Sequence, residues 1–166
     1  MQKELCLVGL NYKTAPVEVR ERFALSDPAL AEQGIVTLDE NIRECMILST
    51  CNRVEILAAA RGQKPEALLL EHWARARGAD SAALAPYVYI HKQEKAVRHL
   101  FTVAASLDSM VLGEPQILGQ LKDAYRLSVK NRSSGVILNR LLHKSFSVAK
   151  RVRTETAIAS SGFLLQ

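Results

Sequence analysis

Two apolar, strand-like runs, ECMILSTC and NRVEILAAA, follow one another from Glu44 to Ala60 with only the corner Cys51-Asn52-Arg53 between them. Parallel neighbours need a crossover of about a dozen residues or more, so two runs joined this closely belong side by side in an antiparallel sheet. The remaining elements arrange themselves around that pair. ELCLVGLNYK is a first strand, apolar and broken by Gly9 and Asn11. APVEVRERFALS starts on Pro16 and carries Val19, Phe23 and Leu25 as a helical stripe. KPEALLLEHWARARG is a helix with Pro65 near its start and Gly78 as its stop, and YVYIH is a short fourth strand. The order β-α-β-β-α-β predicts an α+β, ferredoxin-like core over residues 1–91, in which helices bury one face of a four-stranded antiparallel sheet.

From residue 92 to 156 the pattern is helical alone. KAVRHLFTVAASLDS places Ala96, Val97, Leu100, Val103, Ala104 and Leu107 on one face, with His99 at its edge. VLGEPQILGQLKDAYRLSVKN is punctuated by Gly113, Pro115 and Gly119 before it turns helical. VILNRLLHKSFSVAKRVRTET then predicts a long basic amphipathic helix, with Leu138, Leu142, Ser145, Ala149 and Val152 along one stripe and Arg140, Lys144 and Arg151 opposite. The formal charge of +5 is unevenly divided: residues 122–166 carry nine basic and two acidic side chains, leaving residues 1–121 net negative. A polyanion would therefore meet the C-terminal quarter. Hydrophobic residues at 48% and charged ones at 23% suit a soluble domain with one good core. No apolar run approaches the roughly 20 residues of a membrane span, and MQKELCLVGLNYK lacks the features of a signal peptide, so a cytoplasmic protein without membrane attachment is expected. Three cysteines without C-x-x-C spacing, and four histidines without an i,i+4 pair, support neither a disulfide framework nor a metal site.

Cys51 is the candidate nucleophile. It stands at the mouth of a strand beside Thr50, Asn52 and Arg53, whose donors and positive charge would favour a thiolate. Cys6 and Cys45 lie inside apolar runs and read as core. His99 becomes a general acid or base only if the fold brings it to Cys51; His72, His91 and His143 read as surface or interface residues. SMVLGEPQILGQ gathers Ser109, Glu114, Gln116 and Gln120 around two glycines and a proline, a supply of donors and acceptors that suits either a binding loop or a capped helix connection. It is not a dinucleotide fingerprint, because G-x-G-x-x-G is missing and no strand leads into it.

Four stretches, GLNYKTAPVEVRE, LSTCNRVEI, LDSMVLGEPQILGQLK and KSFSVAKRVRTET, resemble the signature segments of the N-terminal catalytic domain of glutamyl-tRNA reductase. The resemblance implies that residues 1–156 form this domain and that Cys51 attacks the ester of glutamyl-tRNA to give a thioester, which NADPH reduces to glutamate-1-semialdehyde in tetrapyrrole biosynthesis. It assigns substrate binding to Thr50, Asn52, Arg53, Ser109, Glu114, Pro115, Gln116 and Gln120, and matches His99 to the histidine important for activity. Within that assignment, the planar fork of Arg53 suits the substrate's side-chain carboxylate, and Glu114 or Gln116 its ammonium. The implied partners are glutamyl-tRNA, a second copy of the full-length chain in a homodimer, and glutamate-1-semialdehyde aminomutase. No Rossmann fingerprint occurs in the sequence, and the chain stops at residue 166, so the NADPH-binding and dimerisation domains are expected to be absent and the chain to acylate or hydrolyse without reducing. Three other readings compete: a non-catalytic tRNA-binding module with a basic helical tail, a general cysteine hydrolase with a Cys-His pair, and an interaction domain whose last helix docks on another chain.

Overall fold

A computed structural model describes residues 2–156, apart from the side chain of Leu38. In chain order the elements are β1 (Glu4–Asn11), α1 (Val17–Phe23), α2 (Pro28–Leu38), β2 (Ile42–Ser49), β3 (Arg53–Ala60), α3 (Pro65–Ala76), α4 (Ser81–Leu84) with a following 3-10 turn (Ala85–Tyr87), β4 (Tyr89–Lys92), α5 (Glu94–Ala104), α6 (Gln116–Lys130) and α7 (Val136–Glu155). The strands form a four-stranded sheet in the order β2-β3-β1-β4, every neighbouring pair antiparallel. The sequence had supplied all four strands and five of the helices. It had not supplied the single turn of α4, or α2, which the Asp27 side chain caps by accepting from the Leu30 N–H at 3.2 Å and which Pro28 opens.

The expectation that helices cover one face of the sheet is corrected: both faces are buried. On one side Cys6, Val8, Leu10, Ile47, Val54 and Ile56 pack against Phe23, Leu69 and Trp73; on the other, Leu5, Leu7, Met46, Leu48 and Leu57 pack against Leu100, Val103, Leu121, Leu138 and Leu142. Helices α5, α6 and α7 are thus a second covering layer over the sheet. The cause is visible in the strands themselves. All eight residues of β3 are buried, and a strand enclosed on both faces reads as an unbroken apolar run where a half-solvated one would alternate. Leu107, expected on the buried face of α5, lies beyond its end and is 43% exposed, because the helix stops at Ala104 and Ser106 turns at a φ of +63°.

A buried carboxylate docks the last helix. Glu44, on β2, accepts from the N–H groups of Gly135 (2.7 Å), Ile137 (3.3 Å) and Leu138 (2.9 Å), donors that the first turn of α7 cannot satisfy internally. The approach needs a glycine, since a Cβ on Gly135 would stand 2.9 Å from Glu44 Cδ. The connection into α7 also covers the outer edge of β2: Cys45 N–H donates to the Ser133 carbonyl at 2.7 Å, and buried Glu32 accepts from Ile47 N–H (3.0 Å), Ser133 Oγ (2.8 Å) and Asn131 Nδ2 (3.3 Å). Glu44→Ala strands three donors at a buried helix end. It is expected to cost about 3 kcal/mol in urea unfolding, with Glu44→Gln, which keeps one acceptor oxygen, losing less; an unchanged midpoint would mean that the carboxylate does not hold α7.

Candidate active site

The turn between β2 and β3 is built by Thr50. Its N–H donates to the Arg53 carbonyl at 2.8 Å, and its Oγ1 accepts from the N–H groups of Asn52 and Arg53, each at 3.2 Å. The segment after β1 and helix α1 then clamp the turn from outside. Tyr12 N–H donates to the Asn52 carbonyl at 3.0 Å, and Arg20 Nε to the Cys51 carbonyl at 3.3 Å while its Nη1 holds the Ala15 carbonyl at 2.8 Å. With its backbone fixed on both sides, Cys51 presents an exposed free thiol. The other two cysteines are buried and inert by comparison: burial pushes the Cys6 thiol up to about 12 and the Cys45 thiol well above its ordinary value, so neither supplies a thiolate near neutrality.

Cys51 stands in a small cleft lined by Tyr12, Thr50, Asn52, Arg53, Ser109, Met110, Glu114, Gln116, Ile117 and Gln120. The fold therefore brings together Thr50 to Arg53 from one hairpin with Ser109, Glu114, Gln116 and Gln120 from a segment more than fifty residues away. Two of the expected residues stand elsewhere. Pro115 precedes the first turn of α6 and sets its entry, and His99 does not line the cleft. The far wall is shaped by Ser106, whose Oγ donates to the Glu114 carbonyl and whose own carbonyl accepts from Gly113 N–H at 3.1 Å. Arg153, from the end of α7, reaches the same Glu114 carbonyl and Ser106 Oγ, each at 3.3 Å.

Behind the cleft lies a buried chain of charges. Arg53, only 2% exposed, donates through Nη2 to the Asp108 carbonyl (2.6 Å) and Oδ2 (3.2 Å), and its Nη1 stands 3.5 Å from Glu55 Oε2. The same Glu55 oxygen takes the hydroxyl of Tyr89 and meets Nε2 of His99, whose ring lies 5.2 Å from that of Tyr89 and 4.8 Å from that of His91. Asp108 is also held by Lys13 Nζ at 3.1 Å. Burial works to raise the Glu55 carboxyl, but the His99 hydrogen bond, the Arg53 charge and the Tyr89 hydroxyl prevail and hold it below the usual carboxylate range; Asp108 is lowered likewise, against burial, by Lys13 and Arg53. Burial, and then the Glu55 charge, push the Tyr89 phenol up, so it remains a donor. From sequence the Arg53 fork suits a substrate carboxylate, and His99 acts on the thiol only if the fold brings it to Cys51. In the fold the guanidinium bonds to Asp108 and faces Glu55, because a cation this deeply buried needs counter-charges, and His99 meets that same Glu55.

Gly9 explains how the chain of charges fits inside a sheet. In sequence it looks like a break in the first strand, yet it lies within β1, opposite Glu55 on one side and Tyr89 on the other. A Cβ there would come within 2.9 Å of Glu55 Cγ and of Tyr89 Cε2 and hydroxyl oxygen. Its missing side chain is the space through which Tyr89 reaches Glu55. Tyr12, Met110, Ile117, Glu55, Asp108 and Tyr89 were not singled out from sequence, although all but Tyr89 stand inside three of the four signature stretches quoted above.

Residues 8–156 match the family model described as "Glutamyl-tRNAGlu reductase, N-terminal domain". The chain belongs to this family. Among curated relatives, the glutamyl-tRNA reductases of Nitratidesulfovibrio vulgaris strain DP4 and Desulfovibrio desulfuricans are each 63% identical over 161 residues, and that of Lawsonia intracellularis 53%. In all three cases the match covers 97% of this chain but 37% of the relative. Among solved structures, glutamyl-tRNA reductase from Methanopyrus kandleri superposes with a TM-score of 0.74 at 28% identity, covering 92% of this chain and 35% of that one. The chain thus spans little more than a third of the glutamyl-tRNA reductases it matches, and it corresponds to their N-terminal domain.

Proposed function

We propose that this domain performs the acylation step of a glutamyl-tRNA reductase. Cys51 Sγ adds to the ester carbonyl carbon of glutamyl-tRNA, the carbon–sulfur bond forms as the carbon–oxygen bond to the terminal ribose breaks, and the thiol proton leaves with the ribose oxygen. The product is a glutamyl thioester on Cys51 and free tRNA. One observation carries the reading: the only exposed cysteine among the described residues stands on a clamped turn, in a cleft lined by neutral donors and acceptors, the Arg53 cation and the carboxylate of Glu114. Glu114 and Gln116 suit the substrate ammonium, Ser109, Gln120 and Asn52 its remaining polar atoms, and the Arg53 cation attracts its carboxylate from behind the turn. His99 acts as a positioning residue through Glu55 and Arg53. The antiparallel β2-β3-β1-β4 order supports reading the sheet as ferredoxin-like.

A thioester is the acyl form from which hydride transfer yields an aldehyde, here glutamate-1-semialdehyde on the way to tetrapyrroles, and the full-length enzyme is proposed to make it as a cytoplasmic homodimer that passes it to the aminomutase. NADPH does not fit the residues described here: the sheet is antiparallel, and no G-x-G-x-x-G turn joins a strand to a helix. No step is therefore assigned through it. Among the described residues no group of three His, Cys, Asp or Glu side chains could hold a metal, and no helix is long and apolar enough to cross a membrane.

The reading is tested by glutamate release from freshly charged glutamyl-tRNA. The wild-type chain is expected to hydrolyse the ester slowly through the thioester, and Cys51→Ser to fall to the buffer rate. If the wild type is no faster than buffer, the domain is a tRNA-binding module; if Cys51→Ser matches a faster wild type, hydrolysis does not pass through Cys51 and the thioester is wrong.

A further inference from the structure

Among the described residues, the outward face of α7 meets another element only where His143 touches Tyr125 of α6. Arg140, His143, Lys144, Ser147, Lys150 and Arg151 recur at helical spacing along it and are all exposed, directly opposite the buried stripe of Leu138, Leu142, Ser145 and Ala149. From Arg140 to Arg151 the row runs about 16 Å at about 1.5 Å per residue, long enough to meet more than one phosphate. Two half-buried rings packed on the core, Tyr125 of α6 and Phe146, border the cations. Tyr125 of α6 donates to Asn139 Oδ1 at 2.9 Å and stands 3.2 Å from His143 Nε2, and Lys122 Nζ lies 5.8 Å from the centre of the Phe146 ring. From residue 122 to 156 the acidic side chains are Asp123 and Glu155, and each stands beside an arginine, Arg126 at 2.9 Å and Arg151 at 3.5 Å.

The row also leads to the cleft. Its C-terminal end carries Arg153, whose guanidinium bonds to the carbonyl of cleft-lining Glu114, and the buried Nε of Arg153 has no hydrogen-bond partner. We propose that this face binds the phosphate backbone of the tRNA arm next to its 3′ end, so that a strand followed along α7 from Arg140 towards Arg151 delivers the aminoacyl ester to Cys51. The proposal rests on the reading that the chain takes glutamyl-tRNA. From Arg140 to Arg151 every exposed side chain is polar, which suits a charged backbone, whereas a membrane surface would call for apolar side chains facing outward beside the cations. Docking through phosphates also leaves recognition of the glutamyl group to the cleft.

The test measures binding of uncharged tRNA over a range of salt concentrations. Compared with wild type, R140A/K144A/R151A is expected to weaken binding on the order of 10- to 100-fold near physiological salt and to flatten the slope of log affinity against log salt by about 2. The charge-preserving R140K/K144R/R151K retains binding. K64A/R75A/R77A, which removes the same charge on and beside α3 across the sheet, leaves both quantities unchanged. Wild-type affinity and slope in R140A/K144A/R151A would overturn the proposal, as would an equal loss in K64A/R75A/R77A. A second readout separates this proposal from the thioester reading. Acylation of Cys51 by 3′-O-glutamyl-adenosine, which has no tRNA body, is expected to be the same in R140A/K144A/R151A as in wild type, and a loss there would assign the face to the chemistry and overturn the docking role. If wild type itself is not acylated by either donor, the thioester reading fails, while the salt slopes still decide whether RNA lies on α7.

Discussion

Glu55→Ala is expected to lower the free energy of unfolding by about 3–5 kcal/mol in urea denaturation, the range for breaking a buried ion pair by deleting one partner. Glu55 is 3% exposed, and one of its oxygens meets Arg53, Tyr89 and His99 together. Removing it leaves the Arg53 charge with Asp108 alone and strands the Tyr89 hydroxyl between strands. The double variant Arg53→Met/Glu55→Leu deletes both charges and is expected to lose much less than the sum of the single changes. An additive double variant, or a loss below about 1 kcal/mol in Glu55→Ala, would mean that the two charges do not depend on one another.

The same network sets a pH dependence. The Glu55 and Asp108 carboxyls are held below their unfolded values, so their contribution is present in full above the ordinary carboxylate range of roughly 4 and is lost as the pH falls through their folded values. Buried Glu32 runs the other way. Burial raises it, outweighing the donors of Ile47, Ser133 and Asn131, so its contribution is greatest at low pH and falls as the pH rises through its folded value. Glu55→Gln is therefore expected to flatten the acid limb of the stability profile without touching the Glu32 component; an acid limb as steep as wild type would place the proton elsewhere.

Much of the fold was legible because its punctuation is local. Pro16, Pro65 and Gly78 mark helix ends, and the unbroken apolar runs of β1, β2 and β3 mark strands whatever they pack against. The second buried face was present in those same runs, since neither ECMILS nor VEILAAA alternates as a half-solvated strand would, but the helices that cover it lie far along the chain. Helix α2 was missed although Asp27 and Pro28 announce it, because Gly34 and the β-branched Ile35, Val36 and Thr37 blur its period. The cleft was legible only in halves. The Cys51 turn and the Ser109–Gln120 segment each looked unusual, and resemblance, not spacing, joined them. The Glu55 cluster was not legible at all, because Tyr89 and His99 meet Glu55 through sheet register and the seating of α5, and because the residue that makes room for them, Gly9, says nothing by itself about what fills its space.

The second large effect concerns Cys51. The turn that carries it is fixed by backbone bonds from Thr50, Tyr12 and Arg20, none of which involves the thiol, so Cys51→Ser is expected to leave the fold and tRNA affinity intact while removing acylation altogether. Serine keeps the shape but offers a hydroxyl that stays protonated near neutrality and is a far weaker nucleophile than a thiolate. The most direct measurement is the intact mass of the chain after incubation with glutamyl-tRNA in the absence of NADPH and a rapid acid quench, with Cys51→Ser alongside. The account predicts a single glutamyl adduct on the wild type, removed by hydroxylamine and absent from Cys51→Ser. A wild-type protein that binds tRNA but gains no mass, or an adduct that persists in Cys51→Ser, would contradict it.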